Sequence, residues 1–165
     1  MTHADRFRDT HDTLDSFADA YLVVCPHCRA CAHVLPIDPH ERDLFAPRRA
    51  TCRACGFAKE WREQPIRFGD EHDSYFGLPL WLQTPVGDHI LWAYNLRHLH
   101  LIEAFVRASL RERRADETTG WRNTSVVSRL PAWIKAAKHR KHVLKAIERL
   151  KQMDANCAKA QGATP

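Results

Sequence analysis

The chain has 165 residues, of which 44% are hydrophobic and 27% charged, with a formal net charge of +5. Mean hydropathy is −0.48, and no stretch approaches the roughly 18 apolar residues of a membrane-spanning helix. The opening Met1-Thr2-His3-Ala4-Asp5-Arg6 has no apolar segment of a secretory signal, so the expectation is a cytoplasmic protein without membrane contact, built as one ordinary domain or two small ones.

Residues 1–19 are polar and acidic, with Asp5, Asp9, Asp12, Asp15 and Asp19. Leu14 and Phe17 are the candidates for packing there, which suggests a flexible acidic arm with at most one helical turn. Tyr21-Leu22-Val23-Val24 is a β-prone run. It leads into Cys25-Pro26-His27-Cys28, and 23 residues later comes Cys52-Arg53-Ala54-Cys55-Gly56. Cys31–Leu35 reads as a strand stopped by Pro36, and 36–47 as a loop carrying Pro36, Pro39 and Pro47. Short strands lead into and out of the second hook. The order over 20–62 is strand, hook, strand, loop, strand, hook, strand.

A two-residue spacer turns the chain tightly enough to aim two sulfurs at one point. Two such hooks can close a tetrahedron around one zinc ion, with Zn–S distances of about 2.3 Å. Cys25, Cys28, Cys52 and Cys55 are therefore the expected ligands of one structural zinc, with no coordination position left for water. Cys31 and the nearby His27, His33 and His40 are alternative donors, though Cys31 reads more simply as a small buried thiol; Cys157 carries no role in the pattern. Four thiolates and one Zn²⁺ leave a formal charge of −2. Backbone N–H groups and the flanking Arg29, Arg48, Arg49 and Arg53 are the groups to offset it. Gly56 follows the second hook, where positive φ is often needed. Arg29 holds the matching place after the first, so that hook is expected to have a different shape, since a left-handed Arg costs about 1 kcal/mol.

On the hooks and Gly56, residues 21–61 resemble a zinc ribbon of the transcription-factor-IIB type. The whole chain is similar to small bacterial proteins described as containing such a ribbon, through Leu91-Trp92-Ala93-Tyr94-Asn95, Leu130-Pro131-Ala132-Trp133-Ile134-Lys135 and Ala137-Lys138. The resemblance implies a fold and a docking module for polymerases, ribosomes or nucleic acids, not a reaction.

Residues 63–114 form the next unit. An irregular stretch holds Pro65, Gly69 and Gly77, and the Asp70-Glu71-His72-Asp73 run reads as a solvated loop. Leu80–Thr84, a turn over Pro85–Asp88 and His89–Tyr94 predict a β-hairpin. Asn95 suits an N-cap. Leu96, Leu99, Ile102, Phe105, Val106 and Leu110 recur at helical steps and predict an amphipathic helix of about five turns ending near Arg113-Arg114. Leu99, Ile102 and Val106 are expected to pack on Trp81 and Trp92. Residues 115–127 read as a polar linker. Ser128 is a candidate cap for a helix with Pro131 in its first turn. The stripes Leu130, Trp133, Ile134, Ala137 and Val143, Leu144, Ile147, Leu150 are out of phase. That predicts a break near Lys138–Lys141 within a pair of basic helices over 128–153, followed by a disordered tail over 154–165. The fold class is α+β: a zinc ribbon, a β-hairpin with a long helix, and basic C-terminal helices.

Charge is distributed unevenly. Residues 1–106 carry a net −4 and residues 107–165 a net +9. Arg111, Arg113, Arg114, Lys135, Lys138, Arg140, Lys141 and Lys145 could form one cationic face for a polyanion, nucleic acid or a ribonucleoprotein. The leading expectation is thus a non-enzymatic binding protein. A protein-interaction adaptor is the alternative, with Tyr75-Phe76-Gly77-Leu78 as an exposed aromatic contact loop. A remoter one is a nuclease of the ββα-metal type using His89, Asn95 and His98, whose spacing departs from that pattern. P-loop, GxSxG, HExxH and zinc-deaminase patterns are absent.

Overall fold

The structure is a computed structural model, and it describes residues 6–108, 110–112 and 124–162. Its centre is an antiparallel four-stranded sheet of β2 (Tyr21–Val24), β3 (Cys31–Pro36), β4 (Arg48–Thr51) and β5 (Ala58–Trp61), paired in that order. The hooks are the β2–β3 and β4–β5 connections, as the strand–hook–strand pattern required. A separate hairpin joins β6 (Leu82–Val86) to β7 (His89–Ala93). Val86 pairs with His89 across a two-residue turn, in which Gly87 sits at φ +59°, a conformation open to glycine without cost. This turn is two residues shorter than the expected Pro85–Asp88, because Pro85 and Val86 belong to β6.

Helix α1 runs Leu96–Arg107. The Asn95 carboxamide oxygen accepts from the His98 N–H at 3.0 Å, and its nitrogen donates to the Phe17 and Ala20 carbonyls at 2.9 and 2.8 Å. The cap therefore also ties α1 to the N-terminal segment. α1 stops well short of Arg113-Arg114. Ala108 is already extended, and β8 (Leu110–Glu112) pairs in parallel with β1 (Arg6–Arg8). Residues 1–5 lie outside the described residues; over 6–19 that pairing replaces the expected flexible arm with ordered chain. Phe7 is buried and meets Phe105 edge-on at 5.5 Å. Leu14–Phe17 forms the single helical turn, with Phe17 buried.

After residues 113–123, which lie outside the described residues, come α2 (Val126–Arg129), α3 (Ala132–Lys135), a 3-10 turn over Ala137–His139 and α4 (Arg140–Gly162). The cap of the first is Ser125, not Ser128: the Ser125 hydroxyl accepts from the Ser128 N–H at 3.1 Å. Pro131 instead precedes α3. The expected break falls at 136–139. The expected tail does not begin at Asp154, because α4 continues to Gly162 and Cys157 is buried.

Two apolar cores follow. One gathers the hairpin, α1 and α4, with Leu99, Ile102, Val106, Ile147 and Leu150 buried and Trp81 packed against them. Trp92 faces the other core. Trp81 donates from Nε1 to the Met153 carbonyl at 3.1 Å. Glu103 on α1 accepts from Arg107 at 2.8 Å and from Lys151 of α4 at 2.6 Å. Burial works against its charged form, but those two cations outweigh it and hold the carboxyl below its usual range. The other core underlies the four-stranded sheet with Tyr21, Tyr75, Tyr94 and Trp61; Tyr21 and Tyr94 lie 4.5 Å apart, Trp61 and Tyr75 4.8 Å. Backbone bonds from Leu22 N to the Tyr94 carbonyl and from Trp81 N to the Leu22 carbonyl join β2 to the hairpin.

Candidate metal centre

Cys25 and Cys28 turn out of β2, and Cys52 and Cys55 out of β4. In the first hook, Arg29 N–H bonds to the Cys25 carbonyl and Cys25 N–H to that of Ala30. In the second, Gly56 bonds to Cys52 and Cys52 to Phe57 in the same register. Arg29 sits at φ +66° and Gly56 at φ +77°. The two hooks thus share one shape, against the expectation of a difference. The geometry that aims the sulfurs prevails over a left-handed cost of about 1 kcal/mol at Arg29.

The four sulfurs lie within 4.8 Å of one another, and they are the one such cluster of metal-binding side chains among the described residues. Cys25–Cys55 and Cys28–Cys52 are each separated by 3.6 Å. A zinc tetrathiolate with Zn–S of about 2.3 Å has tetrahedral edges of about 3.8 Å, so the donor set fits a single ion of that kind. One thiol of each hook, Cys25 and Cys52, is buried, and Cys28 and Cys55 are exposed. His27 and Phe57 lie 4.7 Å apart across the two hooks.

Electrostatics show why the cluster wants a cation. Burial pushes the Cys25 thiol up, but N–H bonds from Cys28 and His27 and the neighbouring thiols outweigh it and bring it down to about 7. At Cys52, burial prevails over N–H bonds from Cys55 and Ala54 and raises the thiol. At Cys55 the Phe57 N–H favours the thiolate, yet desolvation and the three other thiols push it up to about 12. The Cys25 thiolate forms readily, and Cys52 and Cys55 resist joining it. A divalent ion removes that repulsion.

Several sequence-level assignments change. Cys31 does not belong to the cluster; it forms a disulfide with Cys157, joining β3 to α4 across a separation of 126 residues. Arg48 does not neutralise the thiolates. It is buried, donating to the Ala18 and Asp43 carbonyls with its guanidinium 4.7 Å from the Tyr75 ring. Arg49 pairs with Glu60 at 2.6 Å. The 75–78 loop is not an exposed aromatic contact, since Tyr75 is buried. Nor is Asp73 solvated: it is buried, and its carboxylate accepts from the N–H groups of Tyr75, Phe76 and Leu78.

His89 and His98 join no metal-binding group of His, Cys, Asp and Glu side chains among the described residues. His89 stacks on Trp133 at 4.9 Å, Asn95 is the cap described above, and His98 is buried. Of the basic series, Arg113 and Arg114 lie outside the described residues, and Arg111 is placed on β8 by its backbone. Lys135 donates to the Ser128 carbonyl at 2.6 Å and Arg140 to that of Ala108 at 3.1 Å, so both hold the helices in place. Lys138, Lys141, Lys145 and Arg149 are all exposed at the surface. No family model, curated protein or solved structure matches this chain. No helix of the described residues is long and apolar enough to cross a membrane.

Proposed function

We propose that the chain is a non-enzymatic nucleic-acid-binding protein in which one structural zinc ion held by Cys25, Cys28, Cys52 and Cys55 fixes a ribbon and the basic face of α4 meets a polyanion. One observation carries the nucleic-acid reading. Lys141, Lys145 and Arg149 stand at four-residue steps along one side of α4, with Lys138 in the preceding turn, and none of the four is buried. Helical neighbours four apart lie on one face, about 6 Å along the axis from each other. The exposed acid of that helix, Glu148, is occupied by Arg107 and Lys151 at 3.2 and 3.4 Å, and no ion pair to any of the four cations occurs among the described residues. Spacing of this kind suits phosphate contacts, which are salt-dependent and tolerant of sequence.

The test is fluorescence anisotropy of labelled RNA and DNA oligonucleotides across a salt series. Binding should weaken steeply with salt. Lys141→Glu with Lys145→Glu should flatten the log–log slope by about 2, because each lysine neutralises one phosphate and releases its counterion. An unchanged slope in the double variant, or no binding at low salt, would count against the reading.

A further inference from the structure

A cavity of about 640 Å³ opens beside β7, between α1, the Leu14–Phe17 turn and the α2–α3 segment. Leu91, Trp92, Ile102, Leu130 and Ile134 line it. Phe68 and Ile90, which are 39% and 44% exposed, also line it. Large apolar side chains left in solvent around a concave apolar space mark a ligand site more often than a packing fault, and the volume lies within the range of about 300–1,000 Å³ typical of small-molecule pockets. Two charged groups border it, Asp15 and Arg129; they are opposite in sign and both reach solvent.

One polar group on this wall is buried. His98 is 2% exposed, stacked on Phe17 at 5.0 Å and edge-on to Trp92 at 5.7 Å and Tyr94 at 5.5 Å. The Tyr94 N–H donates to its Nδ1 at 3.3 Å, which places the ring proton on Nε2. Among the described residues the Nε2–H has no acceptor. Burial keeps the imidazole neutral by pushing it down to about 4. Arg48 Nε, Trp61 Nε1 and Arg140 Nε are the sealed polar side-chain atoms without a partner among the described residues; the His98 ring instead borders the cavity, where an entering acceptor would meet its Nε2–H.

We propose that this cavity binds an uncharged apolar molecule bearing one carbonyl-type oxygen, which accepts the Nε2–H of His98. The neutral imidazole supplies a directed donor but no counter-charge, so an ionised ligand would lose its hydration without electrostatic return. The apolar wall holds the rest of the ligand, and the single donor fixes its orientation.

The experiment titrates the full-length, metal-loaded protein with two fluorescent probes: a dimethylaminonaphthyl ketone, whose emission reports polarity and hydrogen bonding at its carbonyl, and the same dimethylaminonaphthalene without the ketone. The ketone should bind with one-to-one saturation and about tenfold more tightly than its carbonyl-free partner, the worth of one well-placed hydrogen bond. His98→Leu should erase that difference. It also deprives the Tyr94 N–H of its acceptor, so Ile90→Glu provides a second test at an exposed position. It should weaken both probes about tenfold while leaving the circular dichroism spectrum unchanged. Equal affinity of the wild type for the two probes, absence of saturable binding, or undiminished binding by folded Ile90→Glu would overturn the proposal.

Discussion

At the scale of single residues, the positive-φ positions after the two hooks separate what a side chain prefers from what a metal cage demands. Arg29 and Gly56 occupy equivalent turns, and no atom lies within 4 Å of where a Cβ on Gly56 would sit. The cost of a side chain there is therefore conformational, not steric crowding. Gly56→Ala should lower stability by about 1 kcal/mol, whereas Arg29→Gly should be neutral or mildly stabilising, because relief of the left-handed strain offsets the added entropy of the unfolded chain. Denaturant midpoints of the two variants check this; equal destabilisation by both would contradict it. His98 supplies a pH prediction at the same scale. Its folded value near 4 lies below the roughly 6.5 of an unfolded histidine, so the native state binds this proton more weakly than the unfolded state. The associated stability is complete above about pH 6.5 and is lost as pH falls toward 4, to a total of about 3 kcal/mol. Asp73, raised by burial, works in the opposite sense over the acid end. An NMR titration of the His98 ring should find it neutral down to about pH 5; titration near 6.5 would contradict the effect of burial.

At the scale of elements, the hooks and their strands are legible in sequence because each is local: two thiols, a two-residue spacer and a β-prone run within a few residues. The core face of α1 is legible for the same reason, through Leu99, Ile102 and Val106. Its end is not. Leu110 continues the helical pattern, yet it lies on β8 against β1, a pairing about a hundred residues apart that no local pattern announces. The length of α4 leaves a fainter signal: Cys157 falls seven residues after Leu150, on the same face as Val143 and Ile147, so the apolar stripe extends past Asp154. The Cys31–Cys157 bridge then clips this extension to β3. In the chain-entropy view, a closed loop of that length is worth about 5 kcal/mol. Cys157→Ser should lower the unfolding free energy by about 3–5 kcal/mol, and a phosphine reductant should reproduce that destabilisation in the wild type without removing the metal. Matching denaturation curves for oxidised, reduced and substituted protein would reject the bridge.

At the scale of the whole molecule, the four-stranded sheet depends on groups contributed from outside it. Tyr75 and Tyr94 complete its core, buried Arg48 binds the Ala18 carbonyl, and β2 is joined to the hairpin through Leu22 and Trp81. Arg48 shows why composition alone misassigns charge: next to the hooks in sequence, it is turned by strand alternation into the aromatic core rather than toward the sulfurs. The cationic line on α4 is legible as a run of Lys and Arg, but which members remain unpaired is not, because Glu103 and Glu148 reach Lys151 and Arg107 across two helices. The proposed metal cage thus lies in the β half and the cationic line of α4 in the helical half. The cage is the central claim. Elemental analysis of the purified protein, beside Cys52→Ser, tests it most directly. One tightly held zinc per chain is expected in the wild type, and a content well below that in the variant. A metal-free wild type, or an unchanged zinc content after Cys52→Ser, would contradict it.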